Sequence, residues 1–193
     1  MMHALAPVFG ALARVLLVFS LAFWVPFAWA WFADAHRLEL AWSGGALVTA
    51  GVGLLLWVLT RRSKRELLPR DGFLLVNLVW AVLPAFAALP LWWGVPSISY
   101  TDAYFEAMSG LTATGATVLT GLDDLPLSVN IWRCFLQLFG GLGIMLLVVA
   151  ILPLLGLGGL QLYRAETPGP MKDAKLTPRI AETARGLWGV YVL

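Results

Sequence analysis

The sequence is poor in charged residues and nearly devoid of cysteine. Charged residues make up 12% of its 193 residues, hydrophobic residues make up 60%, and the mean hydropathy is +0.83. About a quarter of the residues are charged in an average soluble domain, so this composition indicates a protein that lies in a lipid bilayer. A single cysteine, Cys134, excludes an internal disulfide framework and a multi-cysteine metal site.

Signals of catalysis and of nucleic-acid binding are equally sparse. The net charge is only +2, and no basic stripe interleaved with aromatic residues occurs. The two histidines, His3 and His36, stand alone, and no nucleophile–base pair or cluster of metal ligands is recognisable. We therefore expect a protein that is not an enzyme, has no covalently bound cofactor and has no nucleic-acid partner.

Four uncharged stretches are long enough to cross a membrane. Each offers the roughly 20 apolar residues that a spanning helix needs, and they cover residues 15–33, 40–60, 72–101 and 134–163. Residues 187–193 have the composition of the start of a further span. The sequence thus predicts an all-α polytopic membrane protein.

The loops between these stretches indicate an orientation. Basic residues crowd the connection after the second stretch and the segment after the fourth: Arg61, Arg62, Lys64, Arg65, Arg70, Arg164, Lys172, Lys175, Arg179 and Arg185. By the positive-inside rule both segments are cytoplasmic, and so is the amino terminus. Six tryptophans near the opposite boundary fit an outer aromatic belt: Trp29, Trp31, Trp42, Trp92, Trp93 and Trp132.

A short helix and a glycine-centred loop stand between the third and fourth stretches. Residues 101–111 are predicted to form a helix that Thr101 can cap and that is too short to span a bilayer. Irregular backbone at membrane depth survives only where it lines a cavity or coordinates something, and Gly115 allows a left-handed turn there. An ordinary polar loop between two spans is the alternative. We expect Arg133 to reach the membrane interface beside Trp132, with a role in tuning a pore as the less favoured alternative. Glu106 would need a partner in a span to act catalytically, and none is apparent in the sequence.

Several motifs resemble one family of transporters. TDAYFE at residues 101–106 and SGLTATGAT at residues 109–117 are similar to the first pore loop of the Trk/Ktr/HKT potassium transporters. LPRDGF at residues 68–73, QLYRAETPGP at residues 161–170 and KLTPRIAET at residues 175–183 resemble the bacterial Trk-system uptake proteins of that superfamily. The resemblance covers nearly the whole chain.

The resemblance implies a fold and a set of site residues. Two amino-terminal transmembrane helices (residues 1–66) would precede one helix–pore-loop–helix repeat (67–160), and a cytoplasmic link and the start of a second repeat (161–193) would follow. Backbone carbonyls would form one quarter of a potassium selectivity filter, with potassium as substrate. The filter residues are Thr112, Ala113, Thr114 and Gly115, supported by Ala116 and Thr117. Relatives usually have threonine at position 113.

The resemblance also implies partners and raises alternatives. Because one loop cannot surround an ion, we expect the chain to be the amino-terminal part of a longer transporter of the inner membrane. The partners implied are the remaining pore repeats, a cytosolic nucleotide-binding Trk regulatory subunit and a second copy in a homodimer. A non-conducting truncated membrane protein and a single-repeat homotetrameric cation channel are the alternatives. Channel-like flow and symport are both compatible with the sequence.

Overall fold

The computed structural model describes residues 2–33, 36–62, 65, 68–151 and 185–191. Within these ranges the chain is helical and contains no strand, as the sequence predicts. It divides into two compact units, Met1–Gln137 and Leu138–Leu193. The motifs at residues 161–170 and 175–183 lie outside the described residues.

The helices follow one another along the chain with short connections. They are α1 (Met2–Ser20), α2 (Trp24–Ala33), α3 (His36–Thr60), α4 (Pro69–Ala87), α5 (Leu89–Gly94), α6 (Tyr100–Leu111) and α7 (Leu127–Ile151), and residues 185–191 are also helical. Short 3₁₀ turns occur at Leu21–Phe23 and Leu122–Asp124.

The first two spans form an antiparallel hairpin. A β-carbon added at Gly10 would lie 3.2 Å from Thr60 Oγ1, and one at Gly53 would lie 3.1 Å from Leu17 Cγ, so small residues let α1 approach α3 closely. The 3₁₀ turn between α1 and α2 precedes Pro26, which has no N–H to donate to a carbonyl one turn earlier. Proline therefore accounts for the change of helix type within this span.

Proline also divides the third span. Pro90 lies at the start of α5, and Ala88 separates the end of α4 from the start of α5. Beside this break, the carbonyl of Ala87 accepts a hydrogen bond from Trp132 Nε1 on α7 at 3.1 Å. A neighbouring helix thus supplies a donor where the α-helical ladder is interrupted.

Among the described residues, four helical segments are long and apolar enough to cross a membrane, in agreement with the predicted number. They cover Leu5–Ala33, Leu38–Thr60, Arg70–Gly94 and Leu127–Met145. The predicted starts were wrong at the first and fourth spans, because both helices begin before an arginine. The third span ends at Gly94 and not at the predicted residue 101, and the predicted end of the fourth span, residue 163, lies outside the described residues. Arg14 is exposed, and Arg133 is paired with a carboxylate described below, so neither charge interrupts its helix.

The core of the first unit is aromatic. Trp132 packs against Phe23, Phe19 and Trp42, with ring centroids 4.7, 5.9 and 5.5 Å apart, respectively. Trp42 and Trp132 are fully buried, and Trp42 Nε1 donates to Ser128 Oγ at 3.1 Å. The prediction that these two tryptophans belong to an interfacial belt was wrong, because each finds a polar partner for its indole N–H inside the protein.

The second unit has a close helix contact of its own. A β-carbon at Gly141 of α7 would overlap the hydroxyl of Tyr191, at the end of the helix of residues 185–191. The glycine therefore lets the two helices approach closely. In the part of the chain that the structure describes, nothing lies within 4 Å of a β-carbon at Gly143.

Candidate functional site

The short helix α6 is built as a rigid lead-in to the glycine-centred loop. Its N-cap is Ser99, whose Oγ accepts from the N–H of Asp102 at 3.1 Å and donates to Asp102 Oδ2 at 2.7 Å. The prediction that Thr101 caps the helix was therefore wrong, because the helix begins one residue earlier. Twelve residues give α6 a length of about 18 Å, which is too short to cross a bilayer.

Side-chain hydrogen bonds tie α6 to α4. The hydroxyl of Tyr100 donates to the carbonyl of Ala85, and that of Tyr104 donates to the carbonyl of Ala81, both at 3.1 Å. On the α7 side, a β-carbon at Gly110 would lie only 2.9 Å from Leu136 Cβ. The glycine thus allows α6 to pack directly against α7, and the start of the loop is fixed from two sides.

The helix ends in a compact turn that begins the loop. The N–H groups of Thr112, Ala113 and Thr114 donate to the carbonyls of Met108, Gly110 and Ser109 at 2.8, 2.9 and 2.9 Å. Ala113 and Gly115 both have a left-handed backbone, with φ of +54° and +75°. The positive φ predicted at Gly115 is confirmed, and the one at Ala113 was not predicted because alanine gives no sequence signal for it.

Hydroxyl groups hold the loop from within. Thr112 Oγ1 donates to the carbonyl of Met108 at 2.8 Å and lies 2.7 Å from Thr114 Oγ1. Ser109 Oγ donates to the carbonyl of Ala116 at 2.6 Å, which links the far side of the loop back to α6. In these bonds residues 112–114 contribute N–H groups and hydroxyls, and the accepting carbonyls belong to Met108, Ser109, Gly110 and Ala116.

A buried glutamate binds the outgoing arm of the loop, residues 117–119. Glu106, only 3% exposed, accepts at Oε1 from the Thr117 hydroxyl and from the N–H groups of Val118 (2.7 Å) and Leu119 (3.3 Å). Its other oxygen, Oε2, accepts from Arg133 Nε on α7 at 3.1 Å. Sequence reasoning missed this pair and wrongly expected Arg133 to reach the membrane interface.

A cavity of about 70 Å³ lies behind the loop. Its walls come from α6, the loop and α7: Glu106, Ser109, Gly110, Gly115, Ala116, Arg133, Cys134 and Gln137. Cys134 lies on α7, where it is exposed. The cavity lies between Gly115 and α7, and among the described residues a β-carbon at Gly115 would meet only Gln137 Nε2, at 3.7 Å.

The six residues singled out by the sequence follow one another directly after α6. Thr112 is half-buried, and Ala113, Thr114, Gly115, Ala116 and Thr117 are exposed. Beyond them, Gly121 has a φ of +64° and begins the 3₁₀ turn that carries the exposed Asp123 and Asp124. The structure thus places a short helix, a loop with two left-handed residues and an anchoring ion pair together.

Comparison with known families identifies the chain. A family model described as "TrkH: Cation transport protein" matches residues 42–193. The chain belongs to the TrkH family. The resemblance read from the motifs is therefore confirmed, and the match includes α6 and the loop.

Individual TrkH proteins are similar over most of the chain. It is 59% identical over 141 residues to the Trk system potassium uptake protein TrkH of Vibrio parahaemolyticus, covering 72% of this chain and 29% of that protein. It is 56% identical over 147 residues to TrkH of Escherichia coli K12, covering 76% of this chain and 30% of that protein. These relatives are named as uptake proteins rather than enzymes, in agreement with the sequence prediction.

The fold also matches a TrkH structure. The crystal structure of the potassium transporter TrkH from Vibrio parahaemolyticus aligns with a TM-score of 0.79 and 40% identity, over 97% of this chain and 36% of that one. The chain thus spans about a third of the length of the TrkH proteins that it matches. Family membership and four apolar segments place it in a membrane.

Proposed function

We propose that this chain is the amino-terminal part of a Trk-type potassium uptake subunit and that the loop after α6 supplies one quarter of its selectivity filter. The backbone carbonyls of Thr112, Ala113, Thr114 and Gly115 coordinate potassium, and Ala116 and Thr117 support them. The observation that carries the proposal is the loop itself, in which two left-handed residues follow a helix too short to span a membrane.

The hydrogen bonds within the loop support this role. The bonds that shape its first turn use N–H groups and hydroxyls of residues 112–114, and the carbonyls that accept them belong to neighbouring residues. These bonds therefore do not consume the four carbonyls that the proposal assigns to the ion. A left-handed residue changes the direction in which its carbonyl points relative to that of its neighbour. A short segment with such residues can therefore turn several carbonyls toward one axis.

The electrostatics of α6 favour a cation beside the loop. The carboxyl end of a helix carries partial negative charge, and α6 ends directly at Thr112. The charge of Glu106 is offset by Arg133, so the helix end and the loop carbonyls supply the attraction for the ion. Asp123 and Asp124, exposed beyond the loop, raise the local cation concentration at the outer mouth.

The wider organisation follows from the same proposal. Residues 1–66 form the amino-terminal hairpin, 67–160 the first pore repeat, and 161–193 the link to a second repeat. The chain acts in the inner membrane with its amino terminus in the cytoplasm, together with the remaining pore repeats. A nucleotide-binding Trk regulatory subunit and a second copy of the subunit are its proposed partners.

Substitution of Gly115 tests the filter role. The experiment uses a full-length TrkH polypeptide that carries residues 1–193 followed by the remainder of the Vibrio parahaemolyticus protein, expressed in a bacterium without other potassium uptake. We expect Gly115→Ser to lower the preference for potassium over sodium and Gly115→Asp to abolish uptake, because side chains strain a backbone with φ of +75°. Rubidium uptake in competition with sodium is the measurement.

Gly121→Ser is the matched control. Gly121 has a φ of +64°, and a β-carbon there lies an ordinary 3.6 Å from Asp124 Oδ2, so the substitution imposes comparable strain outside the four proposed residues. It should leave the ion preference unchanged. Wild-type ion preference in both Gly115 variants would refute the proposed filter.

A further inference from the structure

The outgoing arm of the loop is held by a carboxylate whose hydrogen-bonding capacity is heavily used. Glu106 accepts from three donors of residues 117–119 and from Arg133, and its side chain is 2% exposed. A buried carboxylate needs such partners, because an unpaired charge in an apolar environment is very unfavourable. Hydrogen bonds to an ionised acceptor are also roughly twice as strong as neutral ones.

The position of Glu106 closes the loop onto its own helix. Residues 112–114 are bonded to the last turn of α6, and residues 117–119 are bonded to Glu106, which lies before that turn. Both ends of residues 112–115 are therefore fixed to one rigid element. Arg133 sets the orientation of the carboxylate from α7, where its own side chain is 21% exposed.

We propose that Glu106, oriented by Arg133, is a positioning residue that anchors the outgoing arm and thereby sets the potassium preference of residues 112–115. The inference rests on the proposed function, because it concerns the precision of the same carbonyl site. Small displacements of carbonyls alter discrimination between two cations of different size before they alter folding. Neither residue contacts the ion in this proposal.

The first variant removes the charge of the anchor and keeps its shape. In the full-length polypeptide, Glu106→Gln leaves a neutral amide oxygen, in place of an ionised carboxylate oxygen, as the acceptor for the three bonds from residues 117–119, and it replaces the second acceptor oxygen by an NH₂ donor. We expect the preference for rubidium over sodium to fall about tenfold, with protein still present in the membrane. Asp102→Asn is the control, since it removes one negative charge from the same helix without touching the loop, and it should keep the wild-type preference.

A double variant separates anchoring from simple electrostatics. Glu106→Gln leaves the cation of Arg133 unpaired, and Glu106→Gln/Arg133→Gln removes that imbalance. If Glu106 anchors the outgoing arm, the double variant should keep most of the loss of rubidium preference, because residues 117–119 still lack their carboxylate acceptor. Full recovery of ion preference in the double variant would overturn the inference and assign the effect to the unpaired charge.

Two further variants keep the test decisive. If Glu106→Gln does not accumulate in the membrane, Thr117→Val replaces it, because this change removes one hydrogen-bond donor to Glu106 at an exposed position. We then expect a several-fold loss of the preference for rubidium over sodium. A wild-type preference in Thr117→Val would overturn the inference. Gly115→Ser reports on the filter itself. If Gly115→Ser alters ion preference while folded Glu106→Gln does not, the anchor is refuted and the filter stands; if neither alters it, the filter fails first.

Discussion

At the residue scale, the loop depends on two left-handed residues that differ in chemistry. Glycine adopts a positive φ without steric cost, whereas an alanine in this region is strained by about 1–2 kcal/mol. Ala113, at +54°, therefore carries strain that Gly115 does not. Strain of this kind persists where surrounding bonds determine the backbone, and the hydrogen bonds of residues 112–114 to the last turn of α6 supply that constraint.

Ala113 offers a direct test of this backbone geometry. We expect Ala113→Val to destabilise the full-length protein by about 1–2 kcal/mol, because a β-branched side chain is poorly tolerated at positive φ. Ala113→Gly should be neutral or slightly stabilising. Ala116→Val is the control, since Ala116 is exposed in the same loop but is not left-handed, and it should change stability by less than about 0.5 kcal/mol. Thermal unfolding in detergent measures all three, and equal effects of the two valines would contradict the assigned backbone.

At the scale of elements, α6 is positioned by direct contact with α7. The β-carbon that Gly110 lacks would lie 2.9 Å from Leu136 Cβ, an atom that moves only with the α7 backbone. A methyl group at this point therefore forces the two helices apart. Displacing α6 also displaces the loop that follows it.

The helix contact predicts opposite effects for two alanine substitutions. Gly110→Ala should lower the thermal stability of the full-length protein, because overpacking costs about 1–3 kcal/mol and exceeds the gain in helix propensity of roughly 1 kcal/mol. Gly51→Ala in α3, where no atom of the described residues lies within 4 Å of the added carbon, should be neutral or stabilising. Detergent melting curves compare the two, and a stabilising Gly110→Ala would show that the helices are farther apart than described.

Much of this arrangement could be predicted from local sequence, and its main contacts could not. Hydropathy predicted four spans, and the segment of residues 101–111 before the glycine-centred loop predicted α6. The pair of Glu106 and Arg133 joins residues 27 positions apart on different helices, and no periodicity links them. The burial of Trp132 could not be predicted either. The sequence analysis assigned Trp132 to the membrane interface because it lies near the end of a span, and no local sequence feature marks it as buried.

At the scale of the whole molecule, the proposed function makes the chain one part of a larger ion path. It spans about a third of the TrkH relatives, and a dehydrated cation needs ligands on all sides. The first unit contains the amino-terminal hairpin, α6 and the loop, and its buried aromatic core supports them. We therefore expect the ion site to be completed by equivalent loops of the remaining repeats.

Locating the ion is the most direct test of this account. Crystals of the full-length polypeptide, with potassium replaced by rubidium, give an anomalous signal that marks the cation. We predict a rubidium peak on the pore axis within coordination distance of the carbonyl oxygens of Thr112, Ala113, Thr114 and Gly115. Rubidium bound only elsewhere, with these four carbonyls turned away from every ion, would contradict the account.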